Sequence, residues 1–269
     1  MLTSFMTATS LRLALRARFG WLAISALLTL SLAALLSAQF SGRQSATVAM
    51  DVGLSVMRLL LPIILTLLTQ ELICREFDRR YFLNTLSYPH PRHTVLLSRV
   101  LSVATLTLGL LAIMACALGI LVYLVGQGYS QSTPVELGRN YIITIAFLGL
   151  DLLVLISVAT LLAVVASTPS FVLIGTLGFM LVSRSFGDII ELLVRNSAVV
   201  GDVDSYRSGV GLLSYLLPDL GALDVRMVAL YSRMELLPAD WPWLVLSSLV
   251  YTVGVLALAV WALQRKRFA

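Results

Sequence analysis

The chain has 269 residues, of which 59% are hydrophobic and 12% charged, and it carries a net charge of +5. That is far more apolar surface than one soluble core of this length would bury, so the excess is expected to face lipid. The basic residues, all Arg except Lys266, are scattered between apolar stretches rather than gathered on a polar face, which argues against a nucleic-acid partner.

In chain order, Phe5, Met6, Leu13 and Arg16 fall at spacings that predict a cytoplasmic lead-in helix along the headgroups over residues 5–18. A bilayer core of about 30 Å needs about 20 apolar helical residues to cross it. Runs of that kind lie near 19–38, 52–73, 100–125, 141–166, 170–190 and 241–263, predicting six spans. The first run is longer than the apolar region of a signal peptide, about 7 to 15 residues, and further spans follow it. It therefore reads as an uncleaved helix. In the fifth, Arg184, Asp188 and Glu191 enter after only the clean stretch Ser170 to Ser183, so it is expected to be short, broken or partly interfacial. The longest stretches between spans, about 73–99 and 191–240, are too short for a nucleotide-hydrolysing domain.

Orientation follows from charge. Three clusters fall on one side of six spans: Arg12, Arg16 and Arg18; Arg75, Arg79, Arg80, Arg92 and Arg99; and Arg265, Lys266 and Arg267. Eleven basic residues against Glu71, Glu76 and Asp78 give +8 there, and the rest of the chain sums to −3. The positive-inside rule then puts both termini and the 73–99 loop in the cytoplasm and the 191–240 segment outside. Within that outer segment Leu223, Met227, Leu230 and Met234 follow helical spacing, predicting an extracytoplasmic amphipathic helix. Trp241 and Trp243 read as an aromatic belt at the start of the last span.

Polar residues inside spans are the functional candidates. Asp151 lies about ten residues into the fourth span, where an ionisable group costs a few kcal/mol and is expected to face the bundle interior. It either serves a pathway or pairs with Arg184 or Arg58 to fix helix packing. Asp51 and Arg58 share a helical face, with Arg58 expected to snorkel outward as an anchor. Cys74 and Cys116 have neither metal-ligand spacing nor an evident disulfide role, and the two histidines, His90 and His93, sit in a Pro-rich loop. No metal site or intramembrane hydrolase is expected.

The loop from Glu71 to Leu101, ELICREFDRRYFLNTLSYPHPRHTVLLSRVL, has a charged opening, a helix-prone stretch and a firm stop at Tyr88-Pro89 and His90-Pro91. It resembles the loop of the type-two ABC exporter permeases, particularly their NosY-like branch. Glu76, Asp78 and Arg79 match the charged opening; Leu86, Ser87 and Pro89 match the Leu-Ser-x-Pro end; Arg92 matches the basic residue that follows. Arg80 and Tyr81 depart from the usual Gly-Thr pair. The stretch YLLPDLGALDV from Tyr215 to Val225 is similar to the branch's Leu-Pro-Asn and later Asp before the last span, and VWALQRKRFA to its aromatic, apolar and basic ending.

The resemblance implies an all-α integral membrane protein whose whole length, 1–269, is one exporter-type transmembrane domain with a cytoplasmic coupling helix. It implies a permease of the bacterial inner membrane, paired with a second permease copy or homologue and with two ABC ATPase subunits. ATP and Mg would be bound by those partners: the chain has no G-x-x-x-x-G-K-[ST] phosphate loop and is not expected to be an enzyme or to hold a cofactor. Glu76, Asp78, Arg79, Ser87, Pro89 and Arg92 would then couple to the ATPase. Two other readings are an ion-coupled secondary transporter with Asp151 as carrier carboxylate and a membrane scaffold that transports nothing.

Overall fold

The computed structural model describes residues 19–74, 92–127, 135–166, 168–195 and 218–265. Seven α-helices run through them: α1 Gly20–Phe40, α2 Ser45–Thr69, α3 Arg92–Gly126, α4 Arg139–Val165, α5 Pro169–Arg195, α6 Arg226–Tyr231 and α7 Trp241–Arg265. A π-helical turn, Gln70–Cys74, extends α2. No strand occurs among the described residues, as expected of a chain that must satisfy its backbone hydrogen bonds locally in lipid. The lead-in stretch 5–18 and the loop residues Glu76, Asp78, Arg79, Ser87 and Pro89 lie outside the described residues.

All six expected hydrophobic segments are helical. Five helices, α1, α2 with its π-turn, α3, α4 and α7, are long and apolar enough to cross a membrane, whereas the apolar part of α5 is the shorter Pro169–Ser185. Two helices begin ahead of their hydropathy windows, because charged residues, Asp51 in α2 and Arg92 and Arg99 in α3, interrupt the apolar runs. Thus α2 starts at Ser45 rather than near 52, and α3 at Arg92 rather than near 100. Pro169 opens α5, a position where its missing N–H costs nothing.

The bundle is built around α4. Of its apolar window 72% is buried, against 22% for α1 and for α7, and it touches α2, α3, α5, α6 and α7. Hydroxyl side chains within the helices are satisfied by carbonyls three or four residues back, as in Thr66 to Pro62, Thr107 to Val103 and Thr160 to Ile156. Between helices, Tyr141 Oη donates to Ala115 O at 2.8 Å, and Gln70 Nε2 donates to Pro169 O at 2.7 Å. The second bond fastens the end of α2 to the start of α5.

The amphipathic segment expected outside the membrane differs from its expected form. The helix is only Arg226–Tyr231, ended by Ser232 in the left-handed region, and its buried side chains are Val228, Ala229 and Leu230, preceded by buried Leu223 and Val225. Met227 and Met234 are exposed. The expected stripe assumed one continuous helix from 223 to 234, which the turn at Ser232 breaks. Trp241 and Trp243 are exposed at the start of α7, as a belt requires.

At Gly53 the Leu118 side chain of α3 fills the space above the α2 backbone, and a Cβ there would collide with its methyl groups. Gly53→Val is therefore expected to lower stability by about 1–3 kcal/mol through overpacking. Thermal unfolding in detergent checks this, and an unchanged Tm would mean that the crossing has slack.

Candidate functional site

Pro62 lies inside α2 and has no N–H, so the carbonyl four residues earlier, that of Arg58, loses its helical donor. Arg184 on α5 replaces it, donating from Nη1 to Arg58 O at 3.0 Å. The same guanidinium reaches α4: Arg184 Nη2 stands 2.5 Å from Asp151 Oδ2. Asp151 is 1% exposed and sits about 18 Å along α4 from Arg139, at about 1.5 Å per residue. One side chain thus ties α5 to α4 by charge and to α2 through a backbone oxygen.

A second layer closes over this pair. The Arg58 side chain forms an ion pair with Asp224 and donates from Nη2 to Leu220 O at 2.9 Å. Asp224 also pairs with Arg226 at 3.1 Å, and Arg226 reaches back to α2, at 3.2 Å from Asp51 Oδ1 and 2.7 Å from Ser55 Oγ. Backbone bonds complete the attachment: Leu220 N–H donates to Ser183 O at 3.2 Å, and Thr144 Oγ1 on α4 meets Val225 O at 3.4 Å. The segment 218–226 is therefore held to α2, α4 and α5 together.

Two glycines permit this close seating. A Cβ at Gly187 would lie 2.6 Å from Asp219 Oδ2, and one at Gly221 would lie 2.7 Å from Arg184 O. The turn itself is shaped by Asp219, whose Oδ1 accepts from Ala222 N–H at 3.1 Å. Between this turn, α2 and α5 is a cleft of about 680 Å³, lined by Arg58, Leu59, Arg184, Asp219, Asp224 and Arg226 among others.

The arrangement is electrostatically closed. Arg58, Arg184 and Arg226 face Asp51, Asp151 and Asp224, three charges of each sign in contact. Pairing is what makes such groups tolerable within apolar helices, where a lone Arg or Asp costs about 2.5–3.5 kcal/mol even on insertion scales. It is not fully satisfied: Asp151 Oδ1, Arg184 Nε and Ser183 Oγ are buried with no hydrogen-bond partner among the described residues.

Asp151 takes Arg184 as the partner expected of one of its two readings. Arg58, expected to snorkel outward, turns its guanidinium to the 218–226 segment, where Asp224 and the Leu220 carbonyl lie within reach. Asp51 and Arg58 do serve one cluster, through Arg226 and Asp224. Of the expected coupling residues, Arg92 is the first residue of α3. Asp224 and Arg226 did not stand out as partners, since no local spacing links positions near 224 to position 58.

Arg184→Ala is expected to cost about 3–5 kcal/mol, because it strands a buried carboxylate. Asp151→Ala, stranding the guanidinium, is expected to cost about as much, and the double variant less than the sum of the two. A double-mutant cycle on thermal unfolding measures the coupling, and strict additivity would show that the pair contributes nothing.

Residues 14–184 match the family model described as ABC-2 family transporter protein, well over half of the chain and ending at Arg184 itself. No curated protein matches the chain.

Proposed function

Because the chain belongs to the ABC-2 transporter family, whose multi-pass membrane components work with an ATPase partner, we propose that it is the permease subunit of a bacterial inner-membrane exporter. As a pair with a second permease and two ATPase subunits, it moves a substrate out of the cytoplasm or the inner leaflet by alternating access. The motifs ending in Ser87, Pro89 and Arg92, and the later Pro218 and Asp224, support a place near the NosY-like branch.

The observation that carries the mechanism is the reach of α2. One end of α2 leads into the 75–91 loop, and its middle holds Pro62 and Arg58, the freed carbonyl and the cation that grip α5 and the 218–226 segment. The interval from Arg58 to Cys74 is about 24 Å of helical rise. A push delivered by ATPase closure at Glu76, Asp78, Arg79, Ser87, Pro89 and Arg92 is received by α2 and α3 and carried to the ionic cluster. A proline and a π-turn in one helix give it two places to bend. Opening the outer side then means exchanging the Arg58 and Arg226 pairs with Asp224, discrete contacts that two packings can share differently.

The contact of Asp151 with Arg184 weighs against the ion-coupled alternative. A carrier carboxylate must be free to take and release its ion, and this one is held by a guanidinium.

Two experiments test the reading. With both termini and the α2–α3 loop cytoplasmic, a cysteine placed at Arg92 is expected to react with impermeant maleimide only from the cytoplasmic face of membrane vesicles. Labelling in intact cells would invert the topology. Replacing Glu76, Asp78 and Arg79 together with Ala should leave membrane levels unchanged while lowering ATPase co-purification, or uncoupling hydrolysis from transport, by about tenfold or more, on the scale of an interfacial charge cluster. Full association and full transport in that variant would refute the docking assignment.

A further inference from the structure

The cleft between α2, α5 and the 218–226 turn has chemistry that the ionic cluster does not use. Its volume of about 680 Å³ is that of a small-molecule site rather than of an inorganic ion. Asp51, Asp151 and Asp224 are each engaged by an arginine. Asp219 also lines the cleft, yet it has no ion pair among the described residues. Its Oδ1 is used by Ala222 N–H, and Oδ2 rests over Gly187. Of the two carboxylates that line the cleft, Asp224 is taken by Arg58 and Arg226, so Asp219 is the one that the described arginines leave to a positive group from outside.

The remaining lining narrows the ligand further. No aromatic side chain is among the described residues lining the cleft, so a quaternary ammonium would find no ring face to rest on. A carboxylate oxygen and the Ser55 hydroxyl instead suit a group with N–H donors. Arg226, with its side chain 35% exposed, is the most accessible of the three guanidinium groups and can take an anionic group beside that ammonium. Leu59, 56% exposed, adds an apolar margin at the same cleft.

We propose that this cleft binds a zwitterion carrying a primary ammonium at Asp219 and a phosphate or carboxylate at Arg226. The proposal rests on the exporter reading and gives it a substrate class. Two sources share this chemistry, the headgroup of an ethanolamine phospholipid and a free water-soluble zwitterion.

Binding to the detergent-purified full chain, read by native mass spectrometry and by tryptophan fluorescence, needs neither nucleotide nor ATPase. Its failure is therefore distinguishable from failure of the exporter reading, which the ATPase co-purification tests separately. The probes are short-chain phosphatidylethanolamine, the matching phosphatidylcholine and phosphatidylglycerol, and free phosphoethanolamine. The ethanolamine lipid is expected to bind about tenfold or more tighter than either of the other lipids. Phosphoethanolamine binding as well as the lipid assigns the free zwitterion; its failure to bind assigns the headgroup.

Asp219→Asn keeps the Oδ1 acceptor for Ala222 N–H and so preserves the turn, while removing the charge. It is expected to erase the preference for ethanolamine over choline. Arg226→Gln, at the other end of the site, is expected to weaken about tenfold or more whichever ethanolamine probe the unchanged chain binds. Equal binding of the ethanolamine and choline lipids, binding of none of the probes, or an unchanged preference in Asp219→Asn overturns the proposal.

Discussion

A helix crossing lipid cannot leave a backbone carbonyl without a donor, and Pro62 creates such a carbonyl at Arg58 in the middle of α2. Most of the site follows from how that need is met. The donor is the Arg184 guanidinium, which itself must be neutralised, and Asp151 on the central helix does so. The Arg58 side chain, starting from the same residue, then requires an anion of its own and finds it in Asp224. A single missing N–H thus accounts for three helices and the 218–226 segment being joined at one level of the bundle.

This makes the cluster more than a stabilising contact. Buried ion pairs are poor sources of net stability, because the desolvation of both partners offsets much of their attraction. What they supply here is registry. Arg184 fits only where it can reach both a carboxylate on α4 and a carbonyl on α2, so sliding α5 along its neighbours breaks both contacts together. Exchange between alternative sets of partners is correspondingly discrete, a property suited to a protein that alternates between two packings.

The helices were legible in the sequence because their cause is local: runs of apolar residues of sufficient length must be helical in lipid. Their ends were less so, since charged residues interrupt the apolar runs near them, Asp51 after the helical stretch Ser45 to Met50 and the arginines of the helical stretch Arg92 to Arg99. Asp151 stood out for the same local reason, a charge in an apolar run. Its partner was one of two nearby candidates. The partner of Arg58 was not legible, because its anion lies in a turn far along the chain whose placement depends on Gly187 and Gly221 allowing close contact. The amphipathic stripe failed for a different reason. Its spacing was helical, but Ser232 takes a left-handed conformation, so Met234 leaves the helix that Leu230 belongs to.

The sequence separations within the cluster have a consequence for biosynthesis. Arg58 and its exposed carbonyl are made 126 residues before the guanidinium that caps that carbonyl, and 162 residues before the Leu220 carbonyl that receives its side chain. While the ribosome is still translating α3 and α4, α2 is an inserted segment with a charge and a broken hydrogen-bond ladder. It must wait at the insertion machinery, or keep that region in contact with water, until α5 and the turn after it arrive. Assembly is therefore finished from the back of the chain. A nascent chain halted before Arg184 would carry a recognisable defect for membrane quality control to read.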